Sequence, residues 1–232
     1  MTEPMPIVLI PGLLCSPSLF ASQIPALWQF GPVTIADHRR DETMDAIAKR
    51  ILAAAPPRFA LAGLSMGGYI AYAVLRAAPE RVTRLALLDT SARADLPEQT
   101  ERRKAQIELA RAGKLGEVTE ALWPLFVHKD RHGEAALKKV IVQMAQDTGA
   151  DAFIRQQMAI MSRPDSRPDL PKIKCPALVL VGEGDQLTPP KLAEEIAGGI
   201  PDSRLVVIPG SGHLTTLERP DAVNKALVEW MS

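Results

Sequence analysis

The chain has 232 residues, 47% of them apolar and 23% charged, enough to bury a sizeable core in one large domain or in a domain with an insertion. Lys and Arg together number 27, as do Asp and Glu, and no basic run is interleaved with aromatics, which argues against a nucleic-acid partner. No apolar run approaches the length that crosses a bilayer, and the two cysteines, Cys15 and Cys175, have neither a metal-ligand spacing nor the pattern of a disulfide framework, so reduced thiols in a cytoplasmic protein are expected.

The first six residues, Met1-Thr-Glu-Pro-Met-Pro, lack a basic n-region and a long apolar stretch, so no signal peptide is expected. Ile7 to Ile10 is a continuous apolar run, too short for a helix, and Pro11-Gly12 ends it. After Leu13-Leu14-Cys15 comes a Ser/Pro turn and an amphipathic segment from Leu19 to Phe30. Val33 to Ala36 predicts a second strand, closing on Asp37-His38-Arg39-Arg40. Met44, Ile47, Ala48, Ile51 and Leu52 share one face at helical period, and Pro56-Pro57 stops that helix.

Phe59 to Leu64 reads as a buried strand, and Tyr69 to Ala78 as a helix. Between them stands Gly63-Leu-Ser65-Met-Gly67, a G-x-S-x-G spacing in the strand-turn-helix context that gives it meaning. A serine at so sharp a turn holds a strained backbone, and glycines two before and two after it remove side chains that would collide. The hydroxyl is then presented where a base can reach it. In an unsuitable context the same residues would be no more than a Gly/Ser turn.

Val82 to Leu88 is the fourth strand. Strands that are apolar on both faces and alternate with helices predict a parallel sheet covered on both sides. The alternation stops after Asp89. Residues 91–167 read as helical and polar, with helices expected over Leu96–Arg111, Ala121–Val127, Ala135–Ala145 and Ala152–Met161. They are expected to form an inserted helical cap between a first core segment, 1–90, and a second, 168–232. Ala177 to Val181 resumes the sheet, Thr188 is expected to cap a helix that has Pro190 in its first turn, Leu205 to Ile208 is the last strand, and Pro220 to Met231 is a final amphipathic helix. Six strands are expected in all.

In an open parallel sheet, sites form beyond the carboxyl ends of the strands. Leu13, Ser65, Asp185 and His213 all follow such ends. A serine hydroxyl is a weak nucleophile at neutral pH and needs an imidazole to take its proton, and a carboxylate must hold that imidazole in one tautomer. Ser65, His213 and Asp185 supply these three groups. Glu183, two residues from Asp185, and Asp89, which also ends a strand, are the competing carboxylates, although a loop-start residue bonding nearby backbone N–H groups explains Asp89 better.

Gly63-Leu-Ser65-Met-Gly-Gly68, Gly182-Glu-Gly-Asp185-Gln-Leu-Thr-Pro189 and Gly212-His213-Leu-Thr-Thr-Leu-Glu218-Arg-Pro220 resemble the three signature blocks of the α/β-hydrolase superfamily, over nearly the whole chain apart from the cap. The resemblance is to its small, cofactor-free esterase-like group, which includes carboxylesterases, pimeloyl-carrier methyl esterases and menaquinone-pathway lyases. It implies an oxyanion hole from the N–H groups of Leu13 and Met66, an acyl-serine mechanism, a small and largely apolar ester as substrate, and no cofactor or metal. Thioesterase or acyltransferase chemistry and C–C hydrolase or lyase chemistry stay open on the same fold, as does a ligand-binding protein with vestigial catalysis. Pro11-Gly12 stands where many relatives have His-Gly, the turn after the second strand lacks the common Arg-Gly-x-Gly-x-Ser pattern, and the first two of the usual eight strands have no counterpart.

Three weaker readings remain. His128 and His132 are four residues apart, but no glutamate follows His128 and the run is highly charged, so a solvated surface is favoured over a metal site. Arg39 and Arg40 could meet an anionic substrate or simply be surface. Trp123 and Phe126 could line an apolar pocket under the cap or belong to the cap's own core.

Overall fold

A computed structural model describes residues 4–232, so the expectation of no signal peptide bears in part on residues 1–3, outside the described residues. Six strands, β1 (Ile7–Ile10), β2 (Val33–Ile35), β3 (Phe59–Leu64), β4 (Val82–Leu88), β5 (Ala177–Gly182) and β6 (Ser203–Ile208), form one parallel sheet in the order β2-β1-β3-β4-β5-β6. Every neighbouring pair is parallel, with Leu61 opposite Leu85 across β3 and β4, and Leu87 opposite Val179 across β4 and β5.

Period-2 alternation explains why the central strands are apolar throughout. Ile7 and Leu9 of β1, Ala60, Ala62 and Leu64 of β3, and Leu178 and Leu180 of β5 face one apolar layer. Their alternates, Val8, Ile10, Phe59, Leu61, Val179 and Val181, face the other. Helices α2 (Met44–Ala54), α3 (Met66–Ala77) and α8 (Pro190–Gly199) supply apolar residues to the second layer, and α1 (Gln23–Trp28) and α10 (Pro220–Met231) to the first.

Between β4 and β5 run α4 (Pro97–Arg111), α5 (Leu115–Phe126), α6 (Ala135–Thr148) and α7 (Ala150–Met161), and α9 (Thr215–Glu218) is a single turn after β6. The inserted helices do not have a separate core. Ala110, Val118, Leu122, Phe126, Ile141, Met144 and Phe153 belong to the same buried cluster as Leu9, Leu64 and Leu180 of the sheet.

Several boundaries differ from the sequence reading, each for a local reason. Helix α3 begins at Met66 rather than Tyr69, because Gly67 and Gly68 are helical despite their low propensity. Helix α5 begins at Leu115 rather than Ala121, because Gly116 is accommodated in its first turn. Thr188 does not cap α8, whose N-cap is Pro189; its hydrogen-bonding groups go to Asp185 instead.

Candidate active site

Ser65 follows β3 and stands immediately before α3, with φ 55° and ψ −114°. That conformation costs a residue with a Cβ on the order of 1–3 kcal/mol, which the surrounding packing must hold in place. The packing is close because the flanking residues are glycines. A Cβ at Gly63 would collide with the backbone of Gly67, and one at Gly67 would collide with the carbonyl of Ile10. Strand and helix therefore close tightly around the serine, which is half-buried.

His213 follows β6 and is almost fully buried. Its Nε2 lies 2.8 Å from Ser65 Oγ, and its Nδ1 lies 2.8 Å from Asp185 Oδ2. With the carboxylate accepting from Nδ1–H, Nε2 is left as the acceptor for the serine hydroxyl. Asp185 is held on every side. Its Oδ1 accepts from the N–H groups of Leu187 (2.8 Å) and Thr188 (2.9 Å), and its Oδ2 also accepts from the Thr188 hydroxyl at 2.7 Å. The carboxylate has no freedom to turn away from the imidazole.

Asp89 is equally buried but does not touch His213. It accepts from Gly182 N–H at 2.9 Å and from the Thr215 hydroxyl, so it ties the ends of β4 and β5 to the turn that follows His213. Burial, and next the negative charge of Asp185, hold its carboxyl well above the usual range.

The loop carrying His213 is held by the inserted helices. The carbonyl of Phe126, at the end of α5, accepts from both His213 N–H (3.1 Å) and Leu214 N–H (3.0 Å), and its ring stacks on the imidazole at 6.2 Å between centroids. Glu218 completes the attachment, accepting from His128 N–H and Gly212 N–H at 2.8 Å each. Burial raises the Glu218 carboxyl, against those two hydrogen bonds.

The loop after β1 lies on the other side of the serine. Gly12 is so near that a Cβ on it would sit 3.4 Å from Ser65 Cβ. The N–H groups of Leu13 and Met66 donate to no other protein group among the described residues. Leu14 has φ 59°, and its buried N–H donates to Gln156 Oε1 of α7 at 3.2 Å. His38 Nε2 lies 2.9 Å from the Gly12 carbonyl and 3.1 Å from Gln156 Nε2, and burial lowers its pKa.

Leu13, Ser65, Thr188 and His213 line a cavity of about 580 Å³, the size of a small-ligand site, with Leu122, Leu125, Phe126 and Leu214 also among its walls. Trp123 does not line it. It packs against His132 and beneath the Lys138 ammonium, on the far side of α5. Arg39 and Arg40 lie away from the cavity and pair with Asp37, at 2.8 and 3.0 Å. His128 Nδ1 accepts from Asp130 N–H, and His132 Nε2 lies near the carbonyls of Pro124 and Val127. Among the described residues no group of three or more His, Cys, Asp or Glu side chains is placed to hold a metal, and no helix is long and apolar enough to cross a membrane.

Thr188, His38, Gln156 and Glu218 were not singled out for roles at the site. Glu218 offered a signal, since it stands five residues after His213 in the third signature block. Gln156 offered none, because its partners lie more than a hundred positions away in the chain.

Residues 7–226 match the alpha/beta hydrolase family. The chain belongs to that family of enzymes. It is 31% identical to a thermophilic esterase from Thermogutta terrifontis, solved with malate bound, which superposes with a TM-score of 0.90 over 98% of this chain and 89% of that one. It is 28% identical over 191 residues to a pimeloyl-[acyl-carrier protein] methyl ester esterase of Nitrosomonas europaea, covering 78% of this chain and 73% of that protein. A Mycobacterium tuberculosis protein with a non-heme bromoperoxidase name is 32% identical over 196 residues, covering 82% and 71%. The names span different activities, so the family is common to them and the substrate is not.

Proposed function

We propose that the protein is a serine carboxylesterase working through an acyl-serine intermediate, with Ser65 as nucleophile, His213 as general base and Asp185 as the carboxylate that fixes the imidazole tautomer. The observation that carries this reading is the unbroken hydrogen-bonded series from Ser65 Oγ through His213 to Asp185, 2.8 Å at each step, at the wall of a cavity. As Ser65 Oγ attacks the ester carbonyl, His213 Nε2 takes its proton and the imidazolium is stabilised by Asp185. The N–H groups of Leu13 and Met66 receive the negative charge that develops on the carbonyl oxygen; such preorganised donors are commonly the largest electrostatic contribution to this kind of catalysis. Collapse of the tetrahedral intermediate expels the alcohol, which leaves with the proton from His213. A water molecule, deprotonated by the same imidazole, then releases the acid and restores the serine.

In this reading residues 91–167 act as a cap over the core formed by 1–90 and 168–232. Phe126 lines the substrate's path, whereas Trp123 belongs to the cap interior. The substrate is a small ester that places an apolar portion against Leu122 and Leu125.

Two measurements test the proposal. A fluorophosphonate probe is expected to add one label, on the peptide that contains Ser65. Ser65→Ala is expected to fold normally and lose turnover of short-chain nitrophenyl esters by several orders of magnitude. Unchanged turnover in a clean Ser65→Ala preparation would remove the mechanism.

A further inference from the structure

The cavity beside Ser65 has one wall of a different character from the rest. Helix α4 presents Gln99, Arg102, Arg103 and Gln106 to it, and Asp95 and Arg163 line it beside them. Asp95 is nearly fully buried and serves two guanidinium groups at once. Arg103 Nε lies 2.7 Å from its Oδ2, and Arg163 Nη1 lies 2.6 Å from its Oδ1. One carboxylate against two guanidinium groups leaves a net positive charge in a cluster largely withdrawn from water. Such a charge is costly unless something compensates it.

The charges nearby do not provide that compensation. At the rim, Arg93 is matched by Glu195 at 2.8 Å and Arg167 by Asp165 at 2.5 Å. Arg102 has no ion pair among the described residues. The positive excess on this side of the cavity therefore belongs to the Arg103–Asp95–Arg163 cluster and to Arg102.

The two glutamines add hydrogen-bond donors. Gln99 Oε1 is occupied by the N–H of Leu96 at 2.8 Å, and Gln106 Oε1 by the amide of Gln157 at 2.7 Å. Their acceptors are used within the protein, so each has an NH₂ group left to offer. Gln157 in turn uses its own Oε1 to accept from Arg103 Nη1 at 2.8 Å. A wall of donors and positive charge is made for an anion with several acceptor oxygens.

The wall is also placed to act on a molecule that is bound at Ser65. Arg163 stacks on the ring of Tyr69 at 4.1 Å, and Tyr69 N–H bonds back to the Ser65 carbonyl. The cluster and the serine line one cavity of about 580 Å³, which has room for a chain of a few carbons between them. Leu122, Leu125, Leu187 and Leu192 provide an apolar side for that chain.

We propose that the preferred substrate is an ester that also bears a free carboxylate, with its scissile carbonyl at Ser65 and its carboxylate against Arg103 and the amides of Gln99 and Gln106. This rests on the esterase reading of the same cavity and narrows it to the monoesters of short dicarboxylic acids and molecules of similar charge. Arg103 is a specificity-determining residue, bonded to the substrate's carboxylate and not to its reacting carbonyl.

The test uses Ser65→Ala, so that binding is read without turnover. Monomethyl glutarate and dimethyl glutarate are titrated into it by calorimetry at pH 7.5. The monoester is expected to bind at least ten-fold more tightly than the diester, and Arg103→Gln in the same background is expected to erase the difference. Equal binding, tighter binding of the diester, or no measurable binding of the monoester at millimolar concentration overturns the proposal. So does a preference that survives in an Arg103→Gln protein whose circular dichroism is native. Should that variant fail to fold, the comparison of the two ligands on Ser65→Ala still decides, and Arg102→Gln, a change at an exposed position, is expected to weaken the preference. Turnover by the unsubstituted protein separates the two readings. Hydrolysis of neutral esters together with equal binding leaves the esterase standing and removes the carboxylate preference. Tight binding of the monoester without hydrolysis of any ester keeps the carboxylate-binding wall but removes the esterase reading and, with it, the ester as substrate.

Discussion

At the scale of single residues, the two buried aspartates differ in what they touch, and their substitutions should separate cleanly. Asp185→Asn keeps the shape but offers an N–H₂ group where His213 Nδ1–H needs an acceptor. The same change in a serine protease costs on the order of ten-thousand-fold in kcat, and a loss of that kind is expected here. Asp89 is already pushed toward its neutral form by burial and by Asp185, and its partners are Gly182 N–H and the Thr215 hydroxyl, which can rotate to accept. Asp89→Asn is thus expected to keep most turnover and to change stability by about 1 kcal/mol or less. Purified variants compared in an ester assay, with circular dichroism as the check on folding, decide the matter; an inactive Asp89→Asn beside an active Asp185→Asn would reverse the assignment. His38 allows a pH prediction. Burial depresses its folded pKa, while in the unfolded chain it titrates near ~6.5. Below that pH the unfolded state binds a proton that the folded state does not. The contribution of His38 to stability is therefore complete above pH ~6.5 and declines as pH falls toward the depressed folded value. Urea denaturation at pH 7.5 and 5.5 should show a smaller loss of stability for a folded His38→Gln variant than for the parent chain.

At the scale of elements, α7 contributes a single side chain that holds the loop after β1 in shape. Leu14 is buried at φ 59°, and the acceptor for its N–H is Gln156. Gln156→Leu leaves that amide unsatisfied, and a destabilisation of about 1–3 kcal/mol is expected by denaturant titration. Because Leu13 precedes Leu14, kcat should fall more than KM rises; a change confined to KM would argue against support of the proposed oxyanion loop. Such cross-chain dependence marks the limit of what the sequence made legible. Strands β1, β3 and β5 could be read because both their faces are buried, which leaves an unbroken apolar run in each, and β4 because its second half, from Leu85 on, has the same character. The start of β6 at Ser203-Arg204 could not, since that end is polar and partly exposed. The G-x-S-x-G turn was legible because its spacing is local, although only Gly63 answers a local demand, from Gly67, whereas Gly67 answers the carbonyl of Ile10 on the neighbouring strand. Thr188 was misread because its local signal, a hydroxyl just before Pro190, fits a helix cap as well as it fits a partner for Asp185. Trp123 and Phe126 were indistinguishable as neighbouring aromatics, and only the rotation of α5 turns one toward the cavity and the other toward His132 and Lys138.

At the scale of the whole molecule, the inserted helices share a continuous apolar cluster with the sheet, and hydrogen bonds join them to the loops on both sides of Ser65. A segment attached in this way should not melt independently. Calorimetry is expected to show one transition, with the van 't Hoff and calorimetric enthalpies equal; two resolved transitions would mean that residues 91–167 unfold independently. The carbonyl of Phe126, which holds His213 N–H and Leu214 N–H together, has a further consequence for protein engineering. Exchanging the helical segment between relatives is an obvious way to transplant substrate preference. In this chain the donor segment would bring with it the anchor of the proposed base, so a graft joined at residues 91 and 167 replaces that anchor together with the pocket wall. Chimeras that keep residues 126–128 from the recipient are expected to retain turnover more often than those that do not. Specificity and competence are here inherited as one piece.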